Sequence, residues 1–302
     1  MTFEDIRKRL IDNDALFNNI YIVEQSFDIL PNDHSHFGAA ISYQDISELR
    51  KDFLDQLIDT VVDWVYSSEK YDDLKKSFVS SGKSEAAAVS QIIRKAKQKF
   101  RRGNDTLLIQ GQLGELLLFH FIQHIKHAVP LLRKMPITTS SEHERYGADA
   151  IHYKVDGKNN VIILGEAKAY TSKYQFSAAF EKSLESILDT YLNLHEELNL
   201  YLHEDFLDKE LDLVAEKILT NRLPNTKIEL VSLVLYNETK PIKLISEDDI
   251  KSQIEKIIQD RYASFDKSKI RIDENPILNR ITYIIFPIWK FEELAQEFQK
   301  LI

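Results

Sequence analysis

The chain has 302 residues, of which 43% are hydrophobic and 29% are charged, and this is the composition of an ordinary globular protein. Cysteine is absent, which excludes disulfides, a thiolate nucleophile, Cys-bound zinc and iron–sulfur clusters. The sequence has no signal-peptide core and no apolar run of about 18–20 residues. We therefore expect a cytoplasmic protein of one large or two small domains, with no membrane contact.

The net charge of −9 conceals a strong segregation of charge along the chain. Residues 1–90 contain 9 basic and 17 acidic residues, residues 91–175 contain 14 and 7, and residues 176–302 contain 16 and 24. The three net charges are therefore −8, +7 and −8. A basic segment between acidic flanks indicates a binding site for a polyanion, although chance clustering on solvated helix faces would give the same counts.

Hydrophobic periodicity gives the order of the secondary-structure elements. Helical spacing of apolar residues predicts helices over 46–66, 85–102, 105–127, 175–203 and 291–302. Gly111 and Gly114 are candidate interruptions of the third of these helices. Short β-branched and apolar runs between turn formers predict strands over 129–138, 148–155, 161–170, 228–236 and 280–289. This order predicts a mixed α/β (α+β) fold in which helices flank one central sheet.

Two short motifs are only weak indications of a nucleotide site and a metal site. Ser81-Gly82-Lys83-Ser84 resembles the end of a phosphate-binding loop, but that loop requires glycine five positions before Gly82, where Ser77 stands. We therefore expect no nucleotide cofactor. His120 and His124 could share a metal from one helix face, yet Phe121 stands where a zinc protease requires glutamate.

The most informative residues lie at the end of an apolar strand. Glu166 and Lys168 are two positions apart and therefore share a face of that strand. Asp149 lies on the preceding strand, across a hairpin turn at 156–160. If the turn centres between residues 157 and 158, Asp149 is directly opposite Glu166, with Cβ atoms about 4.5–5.5 Å apart. A turn centred on residues 156 and 157 would make the two residues diagonal neighbours.

Two carboxylates at this separation repel each other unless a positive charge lies between them. Lys168 offsets part of this repulsion, and a hard divalent cation such as Mg²⁺ or Mn²⁺ would offset more. A third acid, Glu115, precedes an apolar helical run in which an unpaired carboxylate would be costly, and Gly114 beside it allows a close approach to the sheet. An exposed cross-strand ion pair is the simpler explanation of Glu166 and Lys168 alone.

This arrangement resembles the PD-(D/E)-x-K nuclease superfamily, whose restriction-endonuclease-like core has the order αβββαβ. The resemblance implies metal-dependent phosphodiester hydrolysis, with Asp149 and Glu166 as metal ligands and the backbone carbonyl of Ala167 as an additional one. It also implies that Lys168 orients the attacking water and that Glu115 reaches the metal through water. The superfamily often has proline before the aspartate, and Ala148 stands there in this chain.

More narrowly, the segments 111–115, 144–150 and 165–168 resemble the Hachiman anti-phage nuclease subunit family, HamA. That likeness covers roughly residues 105–170 and extends weakly to 300. It implies a superfamily 2 helicase partner (HamB-like) that restrains the nuclease, and degradation of DNA followed by abortive infection once damage is sensed. We accordingly divide the chain into an acidic partner-docking region, 1–90, and a nuclease domain, 91–302.

The basic segment supplies candidate contacts to the DNA backbone that would not read its sequence. These candidates are Arg94, Lys95, Lys97, Lys99, Arg101, Arg102, Arg133, Lys134, Arg145 and Lys173. RNA remains an open alternative as substrate, since nothing in the sequence indicates recognition of a 2′-hydroxyl. A repair or recombination nuclease of the same fold and a non-catalytic interaction module are the two alternatives for function.

Overall fold

The computed structural model describes residues 2–11, 13–25, 30–31, 35–100, 106–132, 148–171, 176–194 and 209–302. The helices in these ranges are α1 (Phe3–Leu10), α2 (Asp14–Phe17), α3 (Arg50–Asp59), α4 (Val61–Val65), α5 (Ser68–Ser80), α6 (Glu85–Lys97), α7 (Thr106–Lys126), α8 (Phe176–Leu192), α9 (Lys209–Leu219), α10 (Glu247–Ala263) and α11 (Phe291–Leu301). Within these ranges, no helix is both long enough and apolar enough to cross a bilayer.

One mixed sheet of seven strands forms the centre of the described structure. The strands, including a separate β3–β4 hairpin, are β1 (Ile20–Gln25), β2 (His36–Ile41), β3 (Tyr43–Gln44), β4 (Ser47–Glu48), β5 (Val129–Leu132), β6 (Ala150–Asp156), β7 (Asn159–Tyr170), β8 (Thr226–Glu238) and β9 (Ile281–Trp289). The order across the sheet is β1-β2-β9-β8-β7-β6-β5. Strands β2, β9, β8 and β7 run parallel, and antiparallel pairs complete both edges. The predicted mixed α/β fold is confirmed.

The central strands are apolar on both faces because helices cover both faces. On β7, Gly165 lies against Leu118 and Ile122 of α7, so odd-numbered residues of this strand face α7. Glu166 contacts Ser186 of α8, so even-numbered residues face α8. This alternation determines which side chains can meet on each side of the sheet.

The structure confirms the helix predicted over 105–127 as α7 and corrects the two helices predicted before it. Helix α7 continues through both of its glycines without interruption. The helix predicted over 46–66 is wrong at its start, because Asp45 and Ile46 adopt positive φ angles of 47° and 57° and form the turn between β3 and β4. Its remainder is divided at Thr60 into α3 and α4. The helix predicted over 85–102 ends at Lys97.

The N-terminal region contributes directly to the central sheet. Strand β1 pairs with β2, and β2 pairs in parallel with β9 near the C-terminus. His36 reinforces this junction, because its Nδ1 accepts a hydrogen bond of 3.1 Å from the backbone N–H of Tyr283. The proposed docking role of residues 1–90 stays a prediction, but the first strands of that region belong to the same sheet as the candidate site.

Candidate active site

The β6–β7 hairpin sets the geometry of the site. Its ladder runs from the pair Ala150–Gly165 to the pair Asp156–Asn159, so that partner numbers sum to 315. Gly157 opens the two-residue turn with a φ of 58°, a left-handed conformation that glycine adopts readily. Of the two registers that the sequence allowed, the structure has the one with the turn centred between residues 157 and 158.

Asp149 lies at the point where this ladder ends. Its backbone N–H donates to the carbonyl oxygen of Gly165 at 3.0 Å. Its Oδ2 accepts from the backbone N–H of Ala167 at 2.9 Å. These two bonds bracket Glu166, so the carboxylates of Asp149 and Glu166 lie close together at the start of β6.

Glu166 is almost completely buried, with 2% of its surface exposed. Its Oε1 accepts hydrogen bonds from Lys168 Nζ at 2.6 Å and from Ser186 Oγ at 2.7 Å. Its Oε2 is buried and has no hydrogen-bond partner within the part of the chain that the structure describes. Burial raises the pKa of Glu166 and the charge of Asp149 raises it further, to about 8, even though Lys168 and Ser186 act in the opposite direction.

Lys168 connects this buried carboxylate with solvent. Its side chain is 29% exposed, whereas that of Glu166 is 3% exposed. The ammonium therefore lies at the outer side of the site, on the face of the sheet that α8 covers. A group at this position can contact a ligand from solvent while it holds the glutamate in one orientation.

Glu115 comes from the opposite side of the sheet. A Cβ on Gly114 would lie 3.4 Å from both the Cβ of Ala167 and the Cδ1 of Leu235, so α7 approaches the sheet closely at this point, on the face opposite Glu166 and Lys168. Within the described ranges, no three His, Asp or Glu side chains form a group that could bind a metal ion. Glu115 therefore does not complete a direct ligand set, and its contact through water stays a prediction.

The donor chemistry of the remaining pair nevertheless fits a divalent cation. Two carboxylates supply the hard oxygen ligands that Mg²⁺ and Mn²⁺ prefer. A buried carboxylate oxygen without a partner costs free energy, and a cation beside Oε2 of Glu166 would remove that cost. It would also neutralise the repulsion from Asp149 that raises the pKa of Glu166. Asp149 and Glu166 are the residues that could hold the ion.

A comparison with protein families gives a match over nearly the whole chain. The HamA family model matches residues 14–302. The chain belongs to the HamA family. This membership confirms the narrower resemblance found in the sequence motifs and indicates a role in Hachiman anti-phage defence. No curated protein matches the sequence.

The region matched to HamA includes a site residue that sequence reasoning missed. Ser186 of α8 donates to Glu166, and one turn earlier the hydroxyl of Ser183 forms a hydrogen bond with Ser232 of β8. Ser232 is the register partner of Glu166. A detectable signal was present, because two serines three positions apart interrupt an otherwise apolar helix face that contains Phe180 and Ile187.

In this HamA family member, only some of the predicted basic contacts lie within the described residues. Arg94, Lys95 and Lys97 are on α6 and Lys99 follows it, which places three cations in its last turn, where they also complement the helix dipole. Lys97 donates to the backbone carbonyl of Leu301 at 2.6 Å. Arg101, Arg102, Arg133, Lys134, Arg145 and Lys173 lie outside the described residues. Contact with DNA stays a prediction for all ten.

The two weaker motifs have structural explanations. His120 is buried, desolvation lowers its pKa to about 3, and neither ring nitrogen has a hydrogen-bond partner in the described part of the chain. His124 stacks on Phe17 with ring centroids 3.8 Å apart. Gly82 has a φ of 93° in the turn after α5, and Ser84 caps the start of α6. This segment is the turn that connects α5 to α6.

Proposed function

We propose that this HamA family member is a metal-dependent deoxyribonuclease of the PD-(D/E)-x-K type, which hydrolyses phosphodiester bonds with little sequence specificity in anti-phage defence. One observation carries the proposal. Glu166 is buried close to the charge of Asp149, its Oε2 has no hydrogen-bond partner among the described residues, and its Oε1 is held by Lys168. Apart from the additional helix α9 between α8 and β8, the order α7, β5, β6, β7, α8 and β8 also matches the αβββαβ order of that superfamily.

Each site residue has a distinct task in this proposal. Asp149 and Glu166 hold Mg²⁺ or Mn²⁺, with the carbonyl of Ala167 as a further oxygen ligand. When bound, the ion stabilises negative charge on the phosphodiester and makes water a better nucleophile at neutral pH. Lys168 orients the attacking water and stabilises charge that develops on the phosphate oxygens. Ser186 keeps the carboxylate of Glu166 in position.

Partial exposure of Lys168 suits a substrate that is too large to be enclosed. Because the Lys168 side chain is 29% exposed next to a buried carboxylate, the backbone of a long polymer can pass the opening while the glutamate stays covered. The predicted basic residues would hold that backbone through its phosphates, so binding would weaken steeply as salt concentration rises. Net charges of −8 in the first and last segments of the chain would oppose unassisted DNA binding.

The same charge distribution supports the proposed restraint by a helicase subunit. An acidic surface binds a basic partner faster and more selectively than a neutral surface does. We therefore propose that the helicase docks on the acidic regions and controls access to the basic segment. This part of the proposal fails if the isolated chain degrades DNA as rapidly as the chain does in the presence of its helicase.

The test is cleavage of plasmid DNA by the purified chain, with and without the helicase encoded beside it, in Mg²⁺ and in EDTA. We expect cleavage only with the metal ion, and we expect Lys168→Met and Glu166→Gln each to reduce it at least about a hundredfold. Lys182→Met is the matched control, because Lys182 is an exposed lysine of α8 that pairs with Glu185. Retained helicase binding without any cleavage by the wild type would favour the non-catalytic module, and cleavage in EDTA would refute the metal-dependent mechanism.

A further inference from the structure

A second cluster of charged residues lies on the α7 face of the sheet, on the side opposite Glu166 and Lys168. Glu229 of β8 is 7% exposed, and three lysine ammonium groups surround its carboxylate. Lys227 lies 3.2 Å from Oε1, whereas Lys126 and Lys154 lie 3.6 and 3.8 Å from Oε2. The cluster therefore has a local charge of +2.

The register of the strands explains how these groups meet. Lys154 of β6 and Lys227 of β8 are both partners of Val161 on β7, so they flank it in one row across the sheet. Glu229 lies two residues further along β8, on the same face. Lys126 is the last residue of α7, so the helix does not cover the sheet beyond this point. The arrangement is consequently built by three neighbouring strands and the end of a helix.

Two of the ammonium groups are held close together without full compensation. Charge-assisted hydrogen bonds between ammonium and carboxylate groups are usually about 2.7–2.9 Å long. Lys126 and Lys154 are both further than this from the oxygen they share, and their side chains are only 15% and 19% exposed. Desolvation lowers the pKa of Lys126, Glu229 raises it in part, and the charge of Lys154 lowers it again, so a further negative group would stabilise the charged lysine.

We infer that this cluster binds a phosphate group, between the ammonium groups of Lys126, Lys154 and Lys227. A tetrahedral oxyanion presents several acceptor oxygens, and these can contact more than one ammonium group at once. The hydroxyl of Thr282 accepts from Lys126 at 2.7 Å and so holds that ammonium group in position. The carboxylate of Glu229 opposes binding, and the three cations exceed it by two charges. The site does not depend on the proposed nuclease activity, since it lies on the other face of the sheet.

Titration of the purified chain with inorganic phosphate tests the inference directly. Isothermal titration calorimetry at constant ionic strength should give saturable binding. We expect Lys154→Gln to weaken it about tenfold, because one charge-assisted contact is removed. Glu229→Gln should strengthen binding by removing the opposing charge, which a purely structural ion-pair cluster does not predict. Lys158→Gln is the matched control, because Lys158 is exposed at the tip of the same hairpin.

A second arm distinguishes a free phosphate compound from a nucleic-acid phosphate. Binding of a short DNA duplex is measured in a Glu166→Gln background, so that the duplex is not cleaved, with and without Lys154→Gln. Weakened binding of both phosphate and duplex supports the site and assigns it to the DNA backbone. Weakened binding of phosphate alone supports the site and assigns it to a small phosphate compound. Phosphate binding that is absent, or unchanged between Lys154→Gln and Lys158→Gln, overturns the inference.

Discussion

Substitution of Glu166 by glutamine should stabilise the metal-free protein, and the gain should grow as pH rises. The raised pKa of about 8 means that the folded state favours the protonated carboxyl, whereas an unfolded glutamate ionises near its ordinary pKa of 4.5. Stability contributed by this group is therefore complete at low pH, begins to fall above the unfolded pKa and continues to fall until the folded pKa is passed. Glutamine retains an oxygen that can accept from Lys168 and Ser186, but it carries no charge at any of these pH values.

The magnitude follows from the pKa difference. One pKa unit corresponds to about 1.36 kcal/mol, so ionisation of Glu166 should cost about 3 kcal/mol more at about pH 8 than at about pH 5.5. Solvent screening reduces this figure little, because only 2% of the residue is exposed. The measured quantity is the difference in unfolding free energy between Glu166→Gln and wild type at both pH values, from urea denaturation in EDTA.

Equal pH dependence of the two proteins would refute this reasoning, because it would mean that Glu166 ionises in the folded state as easily as in water. A divalent cation supplies the matched check. Mg²⁺ should raise the melting temperature of the wild type, since it binds the ionised pair, and should have little effect on Glu166→Gln. An identical shift in both proteins would place the bound ion elsewhere.

Three further predictions follow from packing and charge. Gly165→Ala should lower the free energy of unfolding by about 1–2 kcal/mol, because its Cβ would lie 2.6 Å from a buried side-chain atom of α7. Gly114→Ala should instead be neutral or stabilising by up to about 1 kcal/mol. Equal thermal denaturation curves for the two variants would contradict this contrast. Arg261→Met should lower the free energy of unfolding by about 2 kcal/mol, since it removes the bidentate partner of the buried Glu238. The 29% exposure of the arginine side chain limits this loss. An unchanged midpoint in chemical denaturation would show that the backbone hydrogen bonds to this carboxylate are enough to stabilise it. Ile46→Asn should stabilise by about 1 kcal/mol, because asparagine tolerates a φ of 57° better than a β-branched residue does, and a lower melting temperature would oppose that reasoning.

The elements that could be predicted from sequence are those with strong local signals. Helix α7 has a long apolar pattern, and the β6–β7 hairpin has a turn rich in Gly and Asn. The strict two-residue period of strands is enough to place Glu166 and Lys168 on one face. Burial of Glu166 and the particular hydrogen bonds of Asp149 were not predictable, because they depend on where β6 begins.

The parts that sequence reasoning missed depend on contacts between distant segments. Strand β1 was not among the predicted strands, and nothing local indicated that β2 pairs with β9. Helix α10 was not predicted, because its charged residues outnumber the few apolar residues of its buried face. The left-handed conformation of Ile46 opposes the intrinsic preference of a β-branched residue, so the helical pattern around it was extended too far.

The pairing of β2 with β9 has a consequence for biosynthesis. The hydrogen bond between His36 and Tyr283 joins residues that are 247 positions apart, so the sheet stays incomplete until β9 has left the ribosome. Until then β2 presents an unpaired edge, which is a common starting point for aggregation. Chains that end before β9 should therefore keep this edge exposed, and the seven-stranded sheet should form only once β9 is present.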